Sequence, residues 1–421
     1  MEFIREKIKE KPISKKRVVT QIGIAALCGV AFAIAACLVA LLCMPILQNA
    51  FLAGVPGQGT QGSQDTDETE NHSEKESEED TGKENPSENP GVIPDISLSI
   101  EDYQELQNKL YVIGNTANKS IVTVTTVVSE TDWMNNAYET EGQGSGVIVD
   151  GDSNYFYILT EKRVLQDASR VRVSFIDGAG ADATLLKYDG NTGVAILAVE
   201  KRLLSDATVR SVSIAKFGNS YSVANGTIVI ALGSPLGTNY SILTGNITSN
   251  NNEIMTPDKN YDVFTTDIIA SENGSGFLIN TNGELVGMVI QSFSGSQDIN
   301  TLTAVSVSEI SGIVKRFIQG KDLPYVGLYV STITKEISAA HKLPVGVFIK
   351  EVKTDSPAMF AGLQSGDIIT HINGEDIYSA TTYSTKVQML LPGTTCEFTI
   401  RRQNGEEYME IKCVVEIGVL Q

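Results

Sequence analysis

Histidine is scarce in this chain of 421 residues. Its three histidines are His72, His341 and His371, and none of them lies between residues 98 and 320. A serine hydroxyl is a weak nucleophile at neutral pH and needs a base within hydrogen-bond reach. The absence of histidine from residues 98–320 therefore excludes a serine protease mechanism whose general base is a histidine of that stretch.

Positive charge is also in short supply. The chain has 32 lysines and arginines against 51 aspartates and glutamates, which gives a formal net charge of -19. The phosphates of nucleic acid would repel such a chain, so nucleic acid is not an expected partner. No His/Cys cluster has metal-ligand spacing and no glycine-rich phosphate loop precedes a helix, so we expect no metal and no cofactor.

Cysteine is too sparse for a disulfide framework, because three of the five cysteines lie between residues 28 and 43. The other two, Cys396 and Cys413, flank Asn404-Gly405, a two-residue hairpin signal. With those two residues as the turn, the cysteines face each other at a non-hydrogen-bonded position, with Cα atoms about 4.5 Å apart. That spacing is at the short end of disulfide reach. The pair is therefore either a cross-strand disulfide or two small, half-buried thiols.

The N-terminal region has the pattern of a membrane anchor. Residues 1–17 are basic and form the predicted cytoplasmic tail. Residues 18–48 contain an almost uncharged apolar run, and a bilayer core needs about 20 such residues. The basic flank places the rest of the chain outside the cytoplasm. We expect a retained, single transmembrane helix; a cleaved signal peptide is the alternative, although its apolar core usually has only about 7–15 residues.

Residues 49–97 are predicted to be an acidic, disordered linker. They are rich in Gly, Ser, Asn, Asp and Glu and contain hardly any aliphatic residue in the acidic part. Such a segment cannot bury enough apolar surface to offset the entropy lost on ordering.

The remaining sequence predicts a mostly β protein. Ser99 with Asp102 has the pattern of a capping pair at the start of a helix that runs to about Asn115. Many short strands separated by Gly and Asn turns follow, which favours an all-β sandwich or barrel pair. A helix near the end closes this first domain, which we place at 98–320. A second, α+β domain at 321–421 has five or six strands and two short helices.

Four segments of the first domain resemble, in the same order, segments of the HtrA/Deg family of membrane-tethered, trypsin-like serine proteases with a PDZ domain. The segments are GQGSGVIVD (142–150), YILTEKRVL (157–165), GSPLG (233–237) and TTDIIASENGSGFLINTNGELVGM (265–288). Their collinear order implies a trypsin-like double β-barrel. The resemblance covers about residues 100–420, so it extends into the second domain.

The sequence departs from the family pattern at the three catalytic positions. Arg163 stands at the histidine position, and arginine cannot act as a general base because it keeps its proton in proteins. Gly193 stands where the pattern carries the aspartate that orients the histidine. The nucleophile loop is one residue shorter, which makes Ser275 the nucleophile position, with Gly274 as the alternative. The shortening should also displace oxyanion donors.

These departures predict a serine protease homologue without catalytic activity. The alternative is an active, divergent serine endopeptidase that uses Ser275 with a non-histidine base. Lys162 is a candidate for that base, but a strand-end lysine needs burial to lose its proton near neutral pH. A third possibility is a structural protein that holds a partner on its barrel surface.

The second domain carries a separate resemblance to PDZ domains, in DSPAMFAGLQSGDIITHINGEDI (355–377). The resemblance implies that an extended C-terminal peptide adds to an edge strand while backbone amides hold its carboxylate. For two of the expected site residues, Tyr383 and Val387, a purely structural place in the core is the alternative. The residues expected at the peptide site are Tyr325, Val326, Gly327, Leu328, Val330, Tyr383 and Val387.

The family resemblance also implies partners and a role. The expected ligands are C-terminal or extended peptides of extracytoplasmic proteins, in envelope protein quality control. The chain is expected to form a homotrimer or to join active relatives in a hetero-oligomer.

Overall fold

A computed structural model of the chain describes residues 99–131, 137–165, 168–295, 300–405 and 407–420. The predicted tail, anchor and linker at 1–97 lie outside the described residues. Among the helices of the described part, none is both long and apolar enough to cross a membrane. All described residues belong to one compact unit, Ile93–Gln421.

The first helix, α1 (Ile100–Ala117), begins where the sequence predicts. The Ser99 hydroxyl accepts a hydrogen bond from the Asp102 amide at 3.2 Å, and the Asp102 carboxylate accepts one from the Ser99 amide at 3.0 Å. This reciprocal pair satisfies two amides that a helix start leaves without intrahelical partners.

Two closed antiparallel barrels follow α1, as predicted. The first contains β1 (Ile121–Thr131), β2 (Ala137–Gly151), β3 (Tyr155–Glu161), β4 (Arg170–Ser174), β5 (Gly180–Tyr188) and β6 (Val194–Glu200). The short helix α2 (Asp206–Ser211) lies between the barrels in the chain. The second contains β7 (Ile228–Ser234), β8 (Ser241–Thr256), β9 (Lys259–Ile269), β10 (Ser275–Ile279), β11 (Leu285–Val289) and β12 (Thr301–Ser306). The strand orders are β1-β2-β3-β6-β5-β4 and β10-β11-β12-β9-β8-β7.

The uninterrupted apolar sequence of β6 reflects burial on both faces. Ala195 and Leu197 belong to the core inside the first barrel. Val194 and Ile196 belong to a second core, which also takes in residues of the second barrel. Because successive strand side chains point to opposite faces, β6 contributes to both cores. The two barrels therefore share buried apolar surface.

The helix α3 (Val307–Ile318) ends the barrel region and matches the closing helix that the sequence predicts. Its apolar residues recur every three or four positions, as expected for a helix with one buried face. The residues that it buries in the shared core are Val307, Ile310, Ile313, Val314 and Phe317.

The C-terminal domain is built on a six-stranded sheet with order β14-β15-β16-β18-β19, in which β17 pairs with β16. The strands are β13 (Pro324–Tyr325), β14 (Leu328–Ile333), β15 (Gly346–Val352), β16 (Ile368–Ile372), β17 (Glu375–Asp376), β18 (Thr395–Asn404), β19 (Glu407–Glu416) and β20 (Gly418–Val419). The helices are α4 (Lys335–His341), α5 (Pro357–Phe360) and α6 (Ala380–Met389). Within the sheet order β14 is an edge strand, and β13 pairs separately with β20.

The hairpin between β18 and β19 is shifted from the predicted register. Asn404 pairs with Glu407, so it ends β18 instead of forming the turn, and Gly405 takes the left-handed turn position with φ 67°. Cys396 consequently lies opposite Val415, and Cys413 lies opposite Phe398. The predicted face-to-face pairing was wrong. Both cysteines are free, buried thiols.

Candidate functional site

Ser275 begins β10 and its side chain is directed at the first barrel. The residue is only 3% exposed, and its Oγ accepts a hydrogen bond from the backbone amide of Ser145 in β2, at 3.0 Å. The Ser145 hydroxyl donates in turn to Asn239 Oδ1 at 2.8 Å. The hydroxyl that would serve as nucleophile is thus held by a backbone donor, which cannot accept its proton.

Arg163 reaches the loop that precedes Ser275. It lies in a 3-10 helix, Lys162–Leu165, directly after β3. Its guanidinium donates to Asn273 Oδ1 at 3.1 Å and to the Gly274 carbonyl at 3.3 Å. It also binds both carboxylate oxygens of Glu161, each at 3.0 Å. The side chain of Glu161 is 5% exposed and that of Arg163 is 32% exposed. The carboxylate of Glu161 is therefore buried, and the partly exposed guanidinium of Arg163 is its ion-pair partner.

Gly193 lies on the other side of Glu161. A Cβ atom added to Gly193 would stand 3.8 Å from Glu161 Cγ, and the Gly193 carbonyl accepts a hydrogen bond from the Lys162 amide at 2.6 Å. The structure therefore gathers Arg163, Gly193 and the Ser275 loop around Glu161. Arg163 and Glu161 supply the charged side chains at this place.

The loop that carries Gly193 is held in place by hydrogen bonds to the buried carboxylate of Asp189. Its oxygens accept hydrogen bonds from the Thr192 hydroxyl at 2.6 Å, from the Asn191 amide at 2.9 Å and from the Tyr261 hydroxyl at 3.3 Å. Burial raises the pKa of Asp189, and these hydrogen bonds oppose that shift. Because Tyr261 lies on β9, this carboxylate also ties the first barrel to the second.

The backbone of the serine loop is folded into a tight turn. The Gly274 amide donates to the Ser271 carbonyl at 2.8 Å, and the Ser271 amide donates to the Pro235 carbonyl at 2.9 Å. An oxyanion hole needs backbone amides that point at the incoming oxygen. The Gly274 amide is already used within its own loop and does not point at such an oxygen.

Lys162, the candidate non-histidine base, is turned towards an aromatic ring. Its Nζ lies 3.4 Å from the centroid of the Tyr188 ring. This is a cation–π contact. The contact gives the lysine a partner on β5.

The two histidines of the described part lie in the C-terminal domain. His341 ends α4, and His371 lies on β16, where its Nε2 is 3.1 Å from the Asp376 carboxylate. Among the described residues, no group of three or more His, Cys, Asp or Glu could hold a metal ion.

A second polar site lies at the start of β14. The backbone amides of Val326 and Gly327 donate to Oδ2 of Asp258 at 2.7 and 2.8 Å, and the Leu328 amide donates to Oδ1 at 3.0 Å. The Tyr383 hydroxyl, from α6, donates to Oδ1 at 2.7 Å. Burial raises the pKa of Asp258, and these four hydrogen bonds oppose that shift. The segment 325–328 is therefore a carboxylate-binding loop.

The residues predicted for a peptide site contribute mainly backbone to this loop. Gly327 is required for its shape, because it has φ 92° and an added Cβ would lie 2.3 Å from Ser356 Cβ. Tyr383 is in the core and also places its hydroxyl at the loop, while Tyr325 is half-buried beside it. The predicted residues whose side chains lie in the domain core are Val326, Leu328, Val330, Tyr383 and Val387.

Comparison with known proteins matches both parts of this architecture. A model of the trypsin-like peptidase domain matches residues 144–288, and a model of the PDZ domain matches residues 348–402. HhoB of Synechocystis sp. is 28% identical over 288 residues, which cover 65% of this chain and 66% of HhoB. The "Probable periplasmic serine endoprotease DegP-like" of Pseudomonas fulva is 30% identical over 280 residues, which cover 65% of this chain and 56% of the relative.

The chain combines a trypsin-like peptidase domain with a PDZ domain and is similar to DegP-like serine endoproteases. Its fold is shared with the solved structure of the HtrA-type protease AlgW with decapeptide, with a TM-score of 0.55 and 21% identity over 74% of this chain and 98% of that one. The chain spans about 56 to 66% of the length of the two sequence relatives.

Three residues of these sites were not identified from the sequence. Glu161 is two positions from Arg163, a spacing that carries no signal of an ion pair without knowledge of the 3-10 turn. Asp258 and Asn191 lie in turns. A turn residue is ordinarily explained by the turn itself, so nothing in the local sequence pointed to their contacts elsewhere in the fold.

Proposed function

We propose that this chain is a catalytically inactive member of the HtrA family that binds peptides outside the cytoplasm. The single observation that carries the proposal is the ion pair of Arg163 and Glu161 beside the Ser275 loop. A guanidinium keeps its proton in proteins and cannot take one from a serine. The Gly193 position offers no side chain that could orient a base there.

Peptide binding is proposed for the carboxylate-binding loop of the PDZ domain. Three convergent backbone amides at the start of the edge strand β14 suit an extended peptide that ends in a carboxylate. The related protease AlgW was solved with a decapeptide, which supports the same class of ligand. A role in envelope protein quality control would follow from such binding.

The location and assembly are part of the same proposal. The apolar run at 18–48 would anchor the chain in the membrane with the bulk of it outside the cytoplasm, and the name of the Pseudomonas fulva relative places that relative in the periplasm. A homotrimer or a hetero-oligomer with active relatives stays a prediction.

Labelling of the purified chain with a fluorophosphonate tests inactivity. The reagent needs an activated serine and formed oxyanion donors, so we expect no Ser275-dependent label and no cleavage of unfolded casein, beside a trypsin control that is labelled. Ser271→Ala is the matched control, because this serine lies in the same loop. A label that is lost in Ser275→Ala and kept in Ser271→Ala would instead establish an active, divergent endopeptidase.

A further inference from the structure

The carboxylate in the PDZ loop belongs to the chain itself. Asp258 sits in the two-residue turn between β8 and β9 of the second barrel, where Thr256 pairs with Lys259. Its carboxylate receives the three amide hydrogen bonds and the Tyr383 hydroxyl described above. Asp258 has φ 65°, a left-handed conformation that is uncommon for residues with a side chain, although aspartate adopts it more often than most. A residue held in such a conformation depends on its surroundings to stay there.

The backbone of Asp258 also binds the PDZ loop. Its amide donates to the Leu328 carbonyl at 2.8 Å, while its carboxylate accepts from the Leu328 amide. One residue thus makes both a main-chain hydrogen bond to the first residue of β14 and the carboxylate contacts of the loop. This combination is the one expected of the last residue of a peptide that adds to a sheet edge.

The three amides of the loop are already occupied and are not free to bind a second carboxylate. The amides of Val326, Gly327 and Leu328 are all directed at the two oxygens of Asp258, and Asp258 is 7% exposed. A second carboxylate at this position would find its donors occupied. It would also meet a like charge in a poorly solvated place.

The turn that carries Asp258 is held firmly on the barrel side. The Pro257 carbonyl accepts a hydrogen bond from Asn191 Nδ2 at 2.8 Å. The Thr256 hydroxyl donates to the Lys259 carbonyl at 2.6 Å, and Lys259 forms an ion pair with Glu309 at 2.9 Å. Because these contacts fix the turn to the barrels, opening of the loop would require the PDZ domain to move away from the turn.

We propose that Asp258 is an internal ligand of the PDZ carboxylate-binding loop, and that peptides with a free C-terminal carboxylate bind only when they displace it. The proposal rests on the proposed peptide binding for the identity of the competitor. Since Asp258 is tethered, its effective concentration at the loop is high, about millimolar for short connections. The apparent affinity for an external peptide is reduced by the fraction of molecules in which the loop is open.

Peptide binding by the full chain in detergent micelles tests the competition. The probe is an array of decapeptides with randomised last four positions and free carboxylates, beside the same array with amidated C-termini. We expect Asp258→Ala to bind the carboxylate peptides at least about tenfold more tightly than the wild type, with no gain for the amides. Asp258→Asn, which keeps the size of the side chain, should show a smaller gain in the same direction.

Two control variants define the site. Asp262→Ala removes the same charge from an exposed position on β9 and should bind like the wild type. Gly327→Ala collides with Ser356 and should abolish carboxylate binding. Equal affinities of wild type, Asp258→Ala and Asp258→Asn for the carboxylate array would overturn the proposal that Asp258 is an internal ligand.

Hydrogen exchange without peptide tests the contact independently of any ligand. In Asp258→Ala we expect the amides of Val326, Gly327 and Leu328 to exchange at least about tenfold faster, with β10 amides unchanged as a measure of intact folding. Unchanged protection of the three amides would overturn the proposal. Faster exchange with no variant binding the array would uphold the internal ligand and instead refute peptide binding.

Discussion

Replacing Arg163 with methionine is expected to lower the free energy of unfolding by about 3 kcal/mol. The substitution leaves the Glu161 carboxylate with 5% exposure and without its two guanidinium hydrogen bonds. Removal of one partner of a buried ion pair costs about 3–5 kcal/mol. The lower end applies here because Arg163 is partly exposed. Urea unfolding followed by circular dichroism measures the change.

Replacing Glu161, the other member of the ion pair, should lower the free energy of unfolding less. In Glu161→Gln the guanidinium keeps its bonds to Asn273 and Gly274 and still reaches solvent, so we expect a loss of about 1 kcal/mol. The double variant Glu161→Leu/Arg163→Met removes both charges and should recover most of the stability lost in Arg163→Met. An Arg163→Met variant that unfolds at the wild-type urea concentration would contradict the stabilising role of this pair.

Replacing Gly276 with alanine is expected to cost about 3 kcal/mol or more, or to prevent folding. Gly276 has φ 151°, and an added Cβ would lie 2.2 Å from the Leu232 carbonyl oxygen of the neighbouring strand β7. The obstacle is backbone within a paired ladder, so relief requires β7 and β10 to separate. Losses of this size are typical of a steric collision combined with a strained backbone.

Gly312→Ala is the matched control for this prediction. Gly312 lies inside α3, and an added Cβ there meets nothing within 4 Å. Alanine in a helix interior is favoured over glycine by about 0.5–1 kcal/mol, so this variant should be slightly more stable than the wild type. Equal melting temperatures for Gly276→Ala and Gly312→Ala would contradict the predicted collision of the added Cβ with the Leu232 carbonyl oxygen.

The fold was predictable because its signals are local and repeated. The capping pair at Ser99 and Asp102 marks the start of α1, and the apolar spacing around Ile310 marks α3. The two-faced burial of β6 explains its continuous apolar sequence. The register of the β18–β19 hairpin was not predictable in the same way, because Asn404-Gly405 can end a strand as well as form a turn. A shift of one residue at the turn moved the two cysteines out of opposition.

The sites were predictable only in part, since a sequence gives side-chain types and not the directions of backbone groups. At the serine loop, motif order brought Arg163, Gly193 and Ser275 to one place, but the partner Glu161 depends on the 3-10 turn after β3. At the PDZ loop, Leu328 and Val326 contribute amides while their side chains lie in the core. Asp258 is 68 residues from Val326, and no local pattern reports a contact over that distance.

The two free cysteines of the PDZ domain are buried, which limits the access of oxidants in solution to their thiols. Burial raises the pKa of Cys396 to about 11, and burial also raises the pKa of Cys413. At pH 7 the reactive thiolate of Cys396 is then only about one molecule in ten thousand. Because Cys396 and Cys413 form no disulfide, a reductant has no cross-link between them to break.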